Sequence, residues 1–169
     1  MTDRRTPPPF ISSERAMLDS WLDFHRATLA MKCEGLDADR LRSRSVPPSA
    51  LSLLGLVRHM AEVERAWFRG ILAGQEFHRG IYWTAQDRDG DFDLVDHADV
   101  SEAFSTWRQE CDNARRAAAG LPLDTVGKRL RHGHEVSLRW ILVHMIEEYA
   151  RHNGHADLLR ERIDGATGD

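Results

Sequence analysis

Apolar side chains recur at three- and four-residue intervals over four long stretches of the chain, the spacing that puts them on one face of an α-helix. No stretch alternates apolar and polar residues over the length expected of a half-buried strand. The pattern predicts four helices, over residues 13–36, 51–73, 100–119 and 137–165. Four helices of this length, joined by polar linkers, predict an all-α four-helix bundle.

Residues that start or stop helices lie at the ends of these stretches. Ser49 follows Pro47 and Pro48, and its hydroxyl can cap the second helix by accepting a backbone N–H from the first turn. Gly74 lies at the end of that helix and Gly120 at the end of the third. These positions support the predicted helix limits.

Two of the segments predicted to lie outside the helices have distinctive sequences. Residues 1–12, polar and rich in proline, are predicted to form a flexible leader before a domain that spans residues 13–165. Residues 75–98 form an unusually long connection, which suggests a lid, a subunit contact or a crossover between distant helix ends. Its acidic run, residues 87–91, suggests a calcium loop but lacks the glutamate that such a loop needs at its twelfth position.

Composition and charge argue against several classes of protein. Hydrophobic residues make up 41% of the chain and charged residues 30%, as in ordinary globular proteins. A nucleic-acid partner would need a clustered basic face, and a membrane span would need a run of about 18 apolar residues. The chain has neither a clustered basic stretch nor such an apolar run. Its start also lacks the apolar core of a secretory signal, so we expect a cytoplasmic protein. Cys33 and Cys111 are predicted to be packing residues rather than a disulfide.

The fourth predicted helix carries a row of metal-ligand side chains. Because an α-helix turns about 100° per residue, His144, Glu148 and His152 stack on one side, and His155 falls between them in angle one turn further on. Apolar residues share this side, so the row is expected to face the core. A carboxylate left unpaired there would cost on the order of several kcal/mol. A divalent cation bound by Glu148 and His152 would satisfy the row.

A third ligand is expected from the second helix. His59 lies there among apolar neighbours, on the side that faces the core. With Glu148 and His152 it would give two nitrogen ligands and one oxygen ligand, leaving a position for water or substrate. Zinc or nickel suits this mixture better than calcium or magnesium. The alternative is that these histidines are core residues and that the Glu148–His152 pair is an ordinary helix-surface pair.

The same stretches resemble a known family. Residues 53–68 are similar to the second helix of DinB-like proteins, and residues 152–155, His-Asn-Gly-His, are similar to the end of their fourth helix. Residues 22–29 and 144–152 are typical of an uncharacterised-domain branch of that superfamily, and the likeness extends over about residues 15–164. The branch resembles mycothiol- and bacillithiol-dependent S-transferases.

This resemblance implies an up-down-down-up four-helix bundle, often a homodimer, that holds zinc or nickel through three side chains. The first ligand of the family matches His59, the second matches Glu148 and the third matches His152. Many relatives have histidine at the second position, but thiol-dependent maleylpyruvate isomerases similar to this family also have glutamate there. The implied activity is a metal-dependent S-transferase that joins a low-molecular-weight thiol such as mycothiol to small electrophiles.

In the implied mechanism the metal binds the thiol sulfur and lowers its pKa, and the thiolate then attacks the electrophile. His144, His155 and His25 are the candidate catalytic residues, because each could carry the proton. Two other functions stay open. One is a hydrolase that uses metal-bound water, and the other is a non-catalytic, stress-related bundle that binds a small molecule.

Other charged residues have two interpretations each. Arg26, Lys32 and Arg58 either bind the carboxylate of a thiol cofactor or form ion pairs, and pairing is favoured. The acidic partners considered are Glu62, Glu64 and Glu148. Asp157 either orients an imidazole or lies on the surface.

Overall fold

The computed structural model describes residues 5–168, so the first four residues of the predicted leader lie outside the described part of the chain. The described residues form helices joined by turns. They also contain isolated antiparallel bridges, but no β-strand. The predicted all-α class is therefore confirmed, while the up-down-down-up order stays a prediction. The helices are α1 (Glu14–Cys33), α2 (Ala38–Arg42), α3 (Leu53–Glu64), α4 (Gly90–Asp93), α5 (Val100–Ala118) and α6 (Leu138–Asp164), with a π-helical segment, Arg65–Leu72, after α3.

The chain divides into two compact units. Among the described residues, the first consists of residues 5–53 and 142–168, and the second is Leu54–Ile141. The first unit therefore contains α1, α2 and most of α6, and the second contains most of α3, the π-helical segment, α4 and α5. The prediction of one domain over residues 13–165 stays a prediction.

In the first unit, buried charged side chains tie α1 to α6. The ammonium group of Lys32, 2% exposed, lies 2.6 Å from Oδ1 of Asp157. Arg160, also buried, donates hydrogen bonds to the backbone oxygens of Lys32 and Glu34, at 3.0 and 2.8 Å. These bonds satisfy carbonyls at the end of α1 that have no partner within the helix. Lys32 thus pairs with an acidic residue, as favoured, but the partner is Asp157 and none of the three glutamates that the sequence suggested.

In the second unit, α5 packs against the π-helical segment. Trp67 and Trp107 are buried, and an ion pair joins Arg69 to the buried Glu110 at 2.7 Å. Trp140 is 47% exposed although its ring contacts that of Trp67. The large contact area of a tryptophan lets it cover a buried neighbour and still reach solvent.

The second predicted helix differs most from the structure. It begins at Leu53, because Ser49 accepts a hydrogen bond from the backbone N–H of Leu51 and closes a turn before the helix. From Arg65 onward the α-helix gives way to the π-helical segment. The wider turns bring the guanidinium groups of Arg65 and Arg69 over the ring of Phe77, at 3.8 and 5.2 Å. The α-helical spacing of apolar residues in the sequence cannot predict these π-helical turns or the cation–π contacts that occur with them.

The connection over residues 75–98 lies along α3. Its backbone N–H groups at Tyr82 and Trp83 donate to Oε1 of Glu62, at 2.6 and 3.4 Å. Arg58 donates to the carbonyl oxygen of Leu94 at 2.6 Å. The short helix α4 lies within this connection and α2 within the first linker, and both are too brief to produce a helical period in the sequence.

The described helices include none that is long and apolar enough to cross a membrane. Both cysteines are free and buried, which confirms their predicted role in packing.

Candidate metal site

Four ligand-type side chains lie along one side of α6, as the sequence predicted. Nε2 of His144 is 3.5 Å from Oε1 of Glu148, and Nε2 of His152 is 3.5 Å from Oε2 of the same carboxylate. Nδ1 of His155 lies 3.3 Å from Nδ1 of His152. The helical repeat alone produces this row, because the residues are three or four positions apart.

The spacing within the row fits a metal ion. In a tetrahedral site with bonds of about 2.1 Å, neighbouring ligand atoms are about 3.4 Å apart. Oε2 of Glu148 and Nε2 of His152 have nearly this separation, at 3.5 Å. Their side chains are 20% and 12% exposed, so an ion there would be only partly shielded from solvent.

His59, on α3, is oriented by a buried carboxylate. Its Nδ1 lies 2.8 Å from Oδ2 of Asp91, whose side chain is 8% exposed, and its ring stacks on Phe92 with centroids 5.1 Å apart. An ionised carboxylate only accepts hydrogen bonds, so Nδ1 carries the hydrogen and the lone pair of the neutral ring is on Nε2. A histidine that binds a metal usually has this arrangement, with its second nitrogen donating to a carboxylate.

His152 shows a related arrangement. Its Nε2 faces Glu148, and its Nδ1 faces the imidazole of His155. Burial, together with the positive charges of His152 and Arg151, lowers the pKa of His155, which favours its neutral ring. A neutral imidazole can accept the Nδ1–H of His152, so His155 is placed to fix which nitrogen of His152 carries the lone pair.

Among the described residues, two groups of histidine and glutamate side chains could hold a metal ion. The groups are His144, Glu147 and Glu148, and His59, Glu148 and His152. In the first group, whose members all lie on α6, one ligand atom per residue lies within 4.8 Å of the others. Glu147, half exposed, is already paired with the guanidinium of Arg151. The second group has a mixed set of two nitrogen donors and one oxygen donor, which suits zinc or nickel.

His25, the remaining candidate catalytic residue, lies on α1 beside Asn153. The side-chain amide of Asn153 is 3.4 Å from Nδ1 of His25 and donates to the backbone oxygen of His25 at 3.1 Å. Burial first, and then the charge of Arg5, lowers the pKa of His25. The imidazole also contacts Trp21 and Phe24, so these contacts place it in an aromatic cluster on α1.

No sequence pattern indicated Asp91 as a partner of His59. The acidic run suggested an incomplete calcium loop, whereas Asp91 turns inward beside α3. Gly90 permits this close approach, because a Cβ there would lie 2.6 Å from the carbonyl oxygen of Tyr82. The glycine within the acidic run was the sequence feature that could have indicated a close backbone contact. It did not indicate which helix the run would contact.

Comparison with protein families gives a match over nearly the whole chain. The family described as mycothiol-S-transferase matches residues 17–165. The chain belongs to the mycothiol S-transferase family. This result confirms the resemblance to the thiol-dependent branch of DinB-like proteins. No curated protein matches the sequence.

The name of the family refers to the thiol mycothiol. The two cysteines of this chain are poorly suited to act as the reactive thiol. Burial raises the pKa of the Cys33 thiol to about 12, so its thiolate is scarce at neutral pH. Cys111 is buried beside the carboxylate of Glu64, with Sγ 3.5 Å from Oε1. Neither cysteine therefore offers an accessible thiol to a reactant.

Proposed function

We propose that the protein is a metal-dependent S-transferase that joins a low-molecular-weight thiol, such as mycothiol, to small electrophiles. The family match supports thiol transfer over the hydrolytic and non-catalytic alternatives. The observation that carries the metal dependence is the orientation of two histidines. His59 and His152 each have Nδ1 engaged by a neighbour, which directs the lone pair of Nε2 outward as a ligand.

His59, Glu148 and His152 would hold one zinc or nickel ion. The bound ion would supply a positive charge that lowers the pKa of the thiol. Glu148 would contribute one oxygen, and its neighbour His152 would contribute Nε2. These three side chains form one of the two histidine–glutamate groups among the described residues that could hold an ion.

The chain must also accept the proton that the thiol loses. The sulfur–hydrogen bond breaks, the sulfur forms a bond to the electrophilic carbon, and in a displacement the leaving group departs with its electron pair. His144 is the proposed proton acceptor, because its Nε2 lies 3.5 Å from Oε1 of the proposed ligand Glu148. His155 is assigned a positioning role through His152, and His25 is retained as a further candidate base.

Metal content and thiol transfer should be measured on the same preparations of the tag-free protein. We expect about one zinc or nickel ion per chain from the three-ligand set, and conjugation of mycothiol to a fluorogenic bimane that stops on metal removal. His152→Ala should lose both properties. Glu147→Gln is the matched control on the same helix and should keep both. Full transferase activity in chelated protein would overturn the metal-dependent mechanism.

The proposal includes a homodimer, a cytoplasmic location and no nucleic-acid partner. Light scattering on the purified protein tests the first of these. A monomer that retains full activity would show that the dimer is not needed for catalysis.

A further inference from the structure

A cavity of about 300 Å³ lies within the second unit. Its walls come from the end of α3, the π-helical segment, the connection over residues 75–98 and the linker before α6. This lining is strongly basic and partly aromatic. The arginines are Arg65, Arg79, Arg129 and Arg131, and the aromatic rings are Phe77 and Trp83.

Contacts within the unit hold several of these groups in position. Arg65 lies over the ring of Phe77 at 3.8 Å and donates to the carbonyl oxygen of Arg79 at 3.2 Å. Arg129 donates through its guanidinium to the carbonyl oxygen of Gln75 at 3.1 Å. Its backbone N–H also donates to the carbonyl oxygen of Ile71 at 3.1 Å, which fixes the linker against the π-helical segment. A preformed site loses less conformational entropy on binding.

The positive charge of the lining exceeds its negative charge. Glu62 is the acidic residue that lines the cavity, and its Oε1 already accepts the N–H groups of Tyr82 and Trp83. Burial, and the charges of Arg69 and Arg79, lower the pKa of Arg65, although Glu62 and Glu110 oppose this shift. An arginine stays protonated in proteins, so Arg65 is a partly desolvated, charged donor that an oxyanion could bind.

We propose that this cavity binds an organic anion, a small molecule with a carboxylate or phosphate group attached to a flat apolar part. The guanidinium groups would bind the oxyanion, because their planar donors match its geometry. Phe77 and Trp83 would contact the apolar part. The cavity volume is at the lower end of the range for small-molecule sites, which restricts the ligand to about the size of one ring with its substituent. No residue of the proposed metal set lines this cavity.

Phenyl phosphate is a suitable probe, with benzyl alcohol as its neutral counterpart. Calorimetric titration of the tag-free protein, in a buffer without phosphate, sulfate or carboxylate, should show saturable binding of phenyl phosphate at one site per chain. Benzyl alcohol should bind at least about tenfold more weakly, because it lacks the charge-assisted hydrogen bonds. Equal binding of both probes, or no saturable binding at millimolar concentration, would overturn the proposal.

Arg79→Gln and Arg129→Gln test the assigned residues. Both side chains are exposed, so the variants should fold, which circular dichroism can verify. Each should weaken phenyl phosphate binding by about tenfold. The matched control is Arg115→Gln, on α5, where the guanidinium pairs with Asp112 away from the cavity. Unchanged binding in both cavity variants would contradict the assignment.

The same titration distinguishes this site from the proposed metal site. Phenyl phosphate should bind equally to chelated and zinc-loaded protein, so failure of the metal hypothesis would leave this result intact. Competition with the bimane electrophile would then identify the cavity as part of the substrate site. Absence of competition would identify it as a separate site for an organic anion.

Discussion

Nδ1 of His59 lies 2.8 Å from Oδ2 of Asp91, a carboxylate that is 8% exposed and 32 positions further along the chain. The ring of His59 also stacks on Phe92, so two consecutive residues of the connection fix its position and its tautomer. Asp91 is itself held, since its Oδ1 accepts the backbone N–H of Phe92 at 3.2 Å. A side chain oriented in this way is prepared to use Nε2 as a ligand.

Replacing Asp91 should therefore weaken metal binding without removing a ligand. We expect Asp91→Asn to lower zinc affinity by about 10- to 100-fold, because the amide cannot orient and polarise the imidazole as a carboxylate does. Competition with a chromogenic chelator measures this change. Asp89→Asn, an exposed position in the same turn, should leave the affinity unchanged. Equal affinity in wild type and Asp91→Asn would rule out this role.

The buried ion pair between Lys32 and Asp157 predicts an asymmetric effect on stability. Asp157→Asn leaves the ammonium group buried without its carboxylate, and we expect the free energy of unfolding to fall by about 1–3 kcal/mol. Lys32→Met removes the buried charge and should cost less, because it leaves only the 45% exposed Asp157 without its ammonium partner. Urea denaturation measures both values. Asp19→Asn, in a half-exposed pair with Arg15, should cost less than about 1 kcal/mol. A larger loss in Lys32→Met than in Asp157→Asn would be evidence against this account.

The Cys33 thiol gives a prediction about pH. Burial raises its pKa from 9.0 to about 12, so the folded protein keeps the proton more firmly than the unfolded chain does. This contribution to stability is fully present below pH 9.0 and is lost as the pH rises from 9.0 towards 12. In Cys33→Ala the free energy of unfolding should fall less over this range than in the wild type. An identical pH dependence in the two proteins would show that the buried thiol does not contribute to it.

The same burial should protect Cys33 from thiol reagents. In the native protein at pH 8 we expect slow reaction with a disulfide reagent, and in guanidinium chloride we expect both cysteines to react. Rapid reaction of Cys33 in the native state would show that its surroundings open readily.

The parts of the fold that follow a helical repeat could be predicted from the sequence. Helix α5 occupies Val100–Ala118 where residues 100–119 were predicted, and α6 occupies Leu138–Asp164 where residues 137–165 were predicted. The row on α6 was predictable for the same reason, because its members are near one another in sequence.

The remaining features depend on contacts between distant residues. Asp91 contacts His59 across 32 positions, and Arg69 of the π-helical segment contacts Glu110 across 41. A periodic pattern contains no information about such partners. At these positions the local sequence allows several outcomes. The structure has a wider helical turn in one case and an inward-facing acidic residue in the other.

His144 and His155 should respond differently to substitution, because one is assigned to proton transfer and the other to the orientation of His152. His155→Ala should lower zinc affinity by about tenfold or more, and His155→Asn, whose amide oxygen can accept the Nδ1–H of His152, should restore part of it. His144→Ala should retain the metal and lower kcat by about a hundredfold, since a positioned base is lost. Metal content and kcat measured on the same preparations separate the two roles. Metal loss in His144→Ala, with normal metal affinity in His155→Ala, would reverse the assignment and make His144, Glu147 and Glu148 the better candidate ligands.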